Sequence, residues 1–129
     1  MKAVVCFSTE QGRFAVPVEQ TRQVVPADGI AALPDPLPGV IGLMRAEPDP
    51  MPVVAVLGER GGHVLVLHDG ERRFGLLVDE VVGLERVEAA AIRPAPAGQR
   101  RELVTGVIDT GAGPRLLVDA SILGRAVRA

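Results

Sequence analysis

The chain has 129 residues, 47% of them hydrophobic and 23% charged, which suits one domain with a real core and excludes a disordered chain. Its 14 basic and 16 acidic residues leave a net charge of −2, with no basic footprint for nucleic acid, and Phe7, Phe14 and Phe74 are too few aromatics for base stacking. Cys6 is the single cysteine, so no intrachain disulfide forms, and one Cys with His63 and His68 cannot complete a Cys/His zinc site.

In chain order, the apolar segments are short, β-branched and separated by turn residues, the pattern of many short strands. The first strand is expected at 3–8, with Cys6 as a small core residue. Ser8-Thr9-Glu10-Gln11 ends this apolar stretch, which is too short for a secretory leader. No apolar run approaches bilayer length, so the expectation is a cytoplasmic protein without membrane insertion. Glu10-Gln11-Gly12 turns the chain into a strand at 12–17, followed by a short helical turn after Val18. Seven of the 11 prolines lie between Pro26 and Pro52, punctuated by Ile30, Leu33, Leu37, Val40 and Ile41, which reads as an ordered, extended connection. Strands follow at 40–46 and 51–57, and Arg60-Gly61-Gly62 breaks the chain at its middle.

The second half begins with strands at 63–68 and 72–78, with Asp69-Gly70 expected at the centre of a two-residue hairpin loop. His63 and His68 read as solvated strand-end residues. A helical turn is expected after Asp79, and Glu85, Arg86 and Glu88 read as a solvated face. Arg100-Arg101 reads as an exposed charged turn. The last strands, 104–109 and 114–119, flank a hairpin turn at Asp109-Thr110-Gly111-Ala112-Gly113, and Asp119 is placed to cap a final helical turn through Leu123.

An internal repeat organises these elements. Arg13-Phe14-Ala15-Val16-Pro17-Val18-Glu19-Gln20 recurs 60 positions later as Arg73-Phe74-Gly75-Leu76-Leu77-Val78-Asp79-Glu80. A second echo sets Gly39-Val40-Ile41, a loop and Pro52-Val53-Val54 against Gly106-Val107-Ile108, a loop and Pro114-Arg115-Leu116-Leu117. Each half is small for its own core, so the reading is an all-β domain over 1–129 with halves 1–60 and 63–129, two pseudo-symmetric barrels, one shared core and possible strand exchange. Gly75 is expected to allow close backbone approach between crossing strands, Val78 and Val81 to bury, and Asp79 to end the strand.

These residues resemble the CheW family of bacterial chemotaxis adaptors. Phe14-Ala15-Val16-Pro17-Val18 is similar to the family's first-half step. Gly75-Leu76-Leu77-Val78-Asp79-Glu80-Val81 is similar to its second-half signature, and Ile92-Arg93-Pro94-Ala95-Pro96 to its linker. Gly106 and Leu116-Leu117-Val118-Asp119 match its closing strands. The resemblance covers nearly the whole chain. It implies two five-stranded, SH3-like barrels, no enzymatic activity and no cofactor. It implies two partners, the regulatory domain of a CheA-type histidine kinase and the cytoplasmic tip of a chemoreceptor. Carried over by motif, the receptor groove would involve Val24, Arg45, Val78, Val81 and Val82, and the kinase side Gly42 and Leu43.

The chain departs from the family at informative places. The family's Asn-Leu-Arg-Gly turn is replaced near Arg45, where Glu47-Pro48-Asp49-Pro50 stands and the Gly is lost. Thr21-Arg22-Gln23-Val24 lacks the acidic residue of Val-x-Glu-Val, and the connection from Gly58 to Gly62 is short. These departures keep open a regulatory or decoy domain that binds a kinase without coupling receptors. A remote third reading is a dimeric aspartic protease of retroviral type, because Val107-Ile108-Asp109-Thr110-Gly111-Ala112 and Ile122-Leu123-Gly124-Arg125 resemble its two motifs. Only about a dozen residues separate those motifs, leaving no room for a flap, and Asp, Thr and Gly are ordinary turn residues.

Overall fold

The computed structural model describes residues 2–33, 38–45, 49–95 and 102–127. Twelve strands stand among the described residues: β1 (Lys2–Thr9), β2 (Gly12–Pro17), β3 (Thr21–Pro26), β4 (Ile30–Ala31), β5 (Val40–Met44), β6 (Met51–Val54), β7 (His63–Asp69), β8 (Arg72–Val78), β9 (Glu80–Val87), β10 (Ile92–Arg93), β11 (Val104–Thr110) and β12 (Gly113–Val118). Short 3-10 turns at Val18–Gln20 and Ala89–Ala91 precede β3 and β10, and a last turn spans Gly124–Val127. The helix α1 (Ala120–Leu123) is capped as expected, the Asp119 carboxylate accepting from the Ser121 amide at 2.8 Å.

The strands form two sheets of six, not five. One runs β10-β11-β12-β2-β1-β9, the other β4-β5-β6-β8-β7-β3. Written this way they repeat each other, with β1 to β6 recurring as β7 to β12. The hairpin β1–β2 completes the sheet built from β9 to β12, and β7–β8 completes the sheet built from β3 to β6. Each hairpin joins its host through a short parallel contact, Leu117 with Ala15 in one sheet and Val53 with Gly75 in the other.

Irregularities repeat as well. β5 and β6 slip register between Val40 and Gly42, and β11 and β12 slip between Val104 and Gly106. The pairing Val40–Val54 thus matches Val104–Val118, and Gly42 is the counterpart of Gly106. The sequence echo that set Gly39 against Gly106 is out of register by three residues. Each of these glycines is required by a close approach. A Cβ on Gly42 would lie 2.3 Å from the Ala31 carbonyl oxygen, and one on Gly106 would lie 2.8 Å from that of Arg93.

Alternate residues along each strand feed different clusters, as strand geometry requires. Phe7, Phe14 and Val16 join Leu65, Leu67, Phe74, Leu76 and Val78 in a shared core between the sheets. The rings of Phe7 and Phe14 stack with centroids 5.6 Å apart. On the other face, Val4, Cys6, Ala15, Val87 and Ile108 form a small cluster of one sheet, and Met44, Met51, Val53, Val64, Val66 and Leu77 form that of the other. With both faces covered, β7 and β8 read as unbroken apolar runs rather than alternations.

Several local expectations are corrected. The segment after Asp79 is the eight-residue strand β9, because its backbone pairs along β1. In the β7–β8 hairpin, Asp69 pairs with Arg72, so the loop is Gly70-Glu71, with Gly70 at φ +63°. Asp109 is a strand residue that pairs with Pro114, and the turn is Gly111-Ala112. Gly75 makes room for a side chain rather than a backbone, since a Cβ there would lie 2.4 Å from Val64 Cγ1. His68 is half-buried inside β7, with Nδ1 out of contact with water, rather than solvated. Arg100, Arg101, Pro96, Glu47 and Pro48 lie outside the described residues.

The connection between the halves is pinned to the tip of the first hairpin. The Thr9 hydroxyl donates to the Leu57 carbonyl, and the Glu10 carboxylate accepts from the amides of Glu59 and Arg60 and pairs with the Arg60 guanidinium at 2.8 Å. Bonds from the Arg60 side chain and the Glu59 amide hold the Glu10 carboxyl below its ordinary range.

Candidate protein-binding surface

The outer strands β3 and β9 are counterparts, each the edge of its sheet and each bulged at one residue. Thr21 and Gln23 pair with Leu67 and Val66, leaving Arg22 out of register; Val81 and Gly83 pair with Phe7 and Cys6, leaving Val82 out. The bulge turns Val82 outward, where it is 55% exposed. Two residues on, Leu84 is 56% exposed, and its counterpart Val24 on β3 is 42% exposed. These are the large apolar residues exposed among those described. An apolar edge strand invites pairing or docking unless something covers it.

The residues singled out from sequence divide accordingly. Val82 and Val24 present apolar surface. Val81 is half-buried and packs on the shared core. Val78 is 0% exposed, so it supports the surface from beneath and has no area to offer a partner. Gly42 is buried against β4, and Leu43 is half-buried beside it in β5. Arg45 is exposed just beyond β5 and lines a groove with Gln23, Val25, Met44, Met51 and Arg73. Val82 and Leu84 line a different pocket, with Cys6, Gly83, Glu85 and Arg115. The structure therefore groups Arg45 with β3 and Val82 with β9, on separate sheets. Leu84 was missed by sequence reasoning, although its 60-residue offset from Val24 was available as a signal.

Electrostatics on these surfaces is modest. Burial pushes the Cys6 thiol above its ordinary value, against the pull of the Arg115 and Arg13 cations. Burial also acts to raise Asp119, but hydrogen bonds from the Ser121 hydroxyl and amide and from Gln20 outweigh it and hold the carboxyl below its ordinary value. Asp109 is exposed and paired with Arg93 at 2.9 Å. Asp109 thus stands on β11 rather than in the turn, with its carboxylate engaged by the Arg93 guanidinium. Among the described residues no group of His, Cys, Asp and Glu is arranged to hold a metal, and no helix is long and apolar enough to cross a membrane.

The chain is thus an all-β fold of two repeated sheets whose outer strands β3 and β9 expose apolar side chains. The family model for the CheW-like domain matches residues 3–126, and the chain belongs to that family. The crystal structure of the scaffolding protein TtCheW from Thermoanaerobacter tengcongensis is similar, with a TM-score of 0.84 at 19% identity over 96% of this chain and 92% of that one. No curated protein matches the chain. The fold and the scaffold class of the family thus agree with the resemblance read from the sequence.

Proposed function

We propose that the chain is a cytoplasmic, non-enzymatic adaptor that couples the tip of a chemoreceptor to the regulatory domain of a CheA-type histidine kinase. The observation that carries this reading is the family match over residues 3–126. The apolar side chains on the two outer strands support it, because a receptor tip is helical and an amphipathic helix docks by laying apolar residues on an apolar surface. In this reading Val82 and Val24 touch the receptor, with Arg45 beside β3, while Val78 and Val81 hold the strand in place. Gly42 sets the close β4–β5 contact behind a kinase-facing surface that Leu43 contributes to.

A second reading, a domain that binds the kinase without coupling a receptor, is favoured by one observation: Glu47-Pro48-Asp49-Pro50 replaces the family's tight Arg-Gly turn. Titration calorimetry with the isolated kinase regulatory domain and with a receptor-tip fragment separates the two. The adaptor binds both partners. Binding to the kinase domain alone supports the decoy, and binding to neither overturns both readings.

A further inference from the structure

At one position the two copies of the repeat differ in a way their shared fold does not require. Arg115 on β12 is the counterpart of Met51 on β6, because Leu117 and Val53, two residues further on, make the same parallel pairing. Met51 is buried in its sheet's apolar cluster. Arg115 is just as buried, at 4% exposure, yet carries a cation. Its Nη1 donates to the carbonyls of Phe7 and Phe14 at 3.0 and 3.3 Å, and its Nε is buried without a hydrogen-bond partner. Among the described residues no carboxylate forms an ion pair with it. A buried guanidinium lacking a carboxylate is unfavourable, and the Met51 copy is folded without one.

Arg115 lines a groove of about 620 Å3 together with Arg13, Arg93, Pro94, Val107 and Leu116. Arg93 stands where the other copy has Ala31, so two of these three cations are additions to the repeat. Arg13 holds the Ala112 carbonyl at 2.7 Å, and Arg93 holds Asp109. Three guanidinia against one paired carboxylate leave this groove positive on a chain of net charge −2.

We propose that the groove docks an acidic peptide segment of a partner protein, with an Asp or Glu carboxylate meeting the guanidinia and flanking apolar side chains resting on Pro94, Val107 and Leu116. The planar fork of arginine matches a carboxylate, and apolar walls favour a peptide over a free anion. None of the residues assigned above to receptor or kinase lines this groove, although Arg115 also borders the pocket of Val82 and Leu84, and the inference does not rest on the adaptor reading.

The test uses the full chain and a positional set of capped hexapeptides, each with one Glu among Leu, Val and Pro, beside the same set with Gln. Binding is followed by amide chemical shifts. The expected result is a subset of Glu peptides that shifts resonances of 12–14, 93, 107 and 115–116, binds at least about tenfold more tightly than its Gln match, and loses that preference in Arg115→Met. Arg115→Met keeps its thermal midpoint or gains, as the Met51 copy requires. Arg115→Lys retains part of the preference. Equal binding of Glu and Gln peptides, no binding by any peptide, or the same shifts with inorganic phosphate alone overturns the proposal. So does a large loss of stability in Arg115→Met, which would make the cation a structural strut.

Discussion

Val78 and Val82 lie four residues apart and have opposite fates. Val78 ends β8 inside the shared core, while Val82 is thrown outward by the bulge that separates the Cys6 pairing from the Phe7 pairing. Burying an unpaired carboxylate is far more costly than placing one in water. Val78→Asp is therefore expected to abolish the folded state, a loss of several kcal/mol. Val82→Asp is expected to stay within about 0.5 kcal/mol of the parent and to weaken docking on β9. Circular dichroism with a denaturant series reads the first effect, and receptor-tip binding reads the second. Two unfolded variants, or a Val82→Asp protein that binds as tightly as the parent, would contradict the assignment. The sequence distinguished these valines poorly, since each lies in a short apolar stretch on either side of Asp79-Glu80 and the bulge that turns Val82 out is a property of pairing with β1.

At the scale of the element, the matched slips in β5–β6 and β11–β12 place Gly42 and Gly106 under the carbonyls of β4 and β10. Both strands are only two residues long, so they cannot retreat without losing their pairing. Gly42→Ala and Gly106→Ala are each expected to destabilise by about 1–3 kcal/mol, the usual cost of overpacking, with Gly42 the more sensitive. Equilibrium unfolding checks the order, and a neutral Gly42→Ala would contradict the close approach. The hairpins β1–β2, β7–β8 and β11–β12 were legible because turn residues sit between β-branched runs. Four strands were not: β4 and β10 are too short to carry a period, and β3 and β9 are edges whose exposure does not alternate. The helical turn expected after Asp79 failed for this reason, because nothing local in Glu80-Val81-Val82-Gly83-Leu84 reveals the long antiparallel partner supplied by β1.

At the scale of the molecule, each sheet borrows a hairpin from the other half of the chain, so neither half can be removed without opening both sheets. The 60-residue repeat announced the two copies from sequence alone, and the Arg13–Gln20 match fell on true counterparts. The later echo drifted because the offset grows from 60 at the hairpins to 64 at Gly106, through residues added on either side of β10. Site residues were less legible than the fold. Exposure on an edge strand is set by bulges and by which face the other sheet covers, and neither is written in local pattern. Interlocked sheets tie the two outer strands into one fold, an arrangement that the proposed adaptor role would use to link binding at one surface to the other.

The most direct test of that role is the autophosphorylation rate of a CheA-type kinase on membranes bearing its chemoreceptor, with and without this chain. The account predicts that adding the chain makes the rate depend on receptor and on its ligand, and that Val82→Asp removes this dependence while leaving kinase binding intact. A rate that is the same with and without the chain, in the presence of both cognate partners, would contradict it.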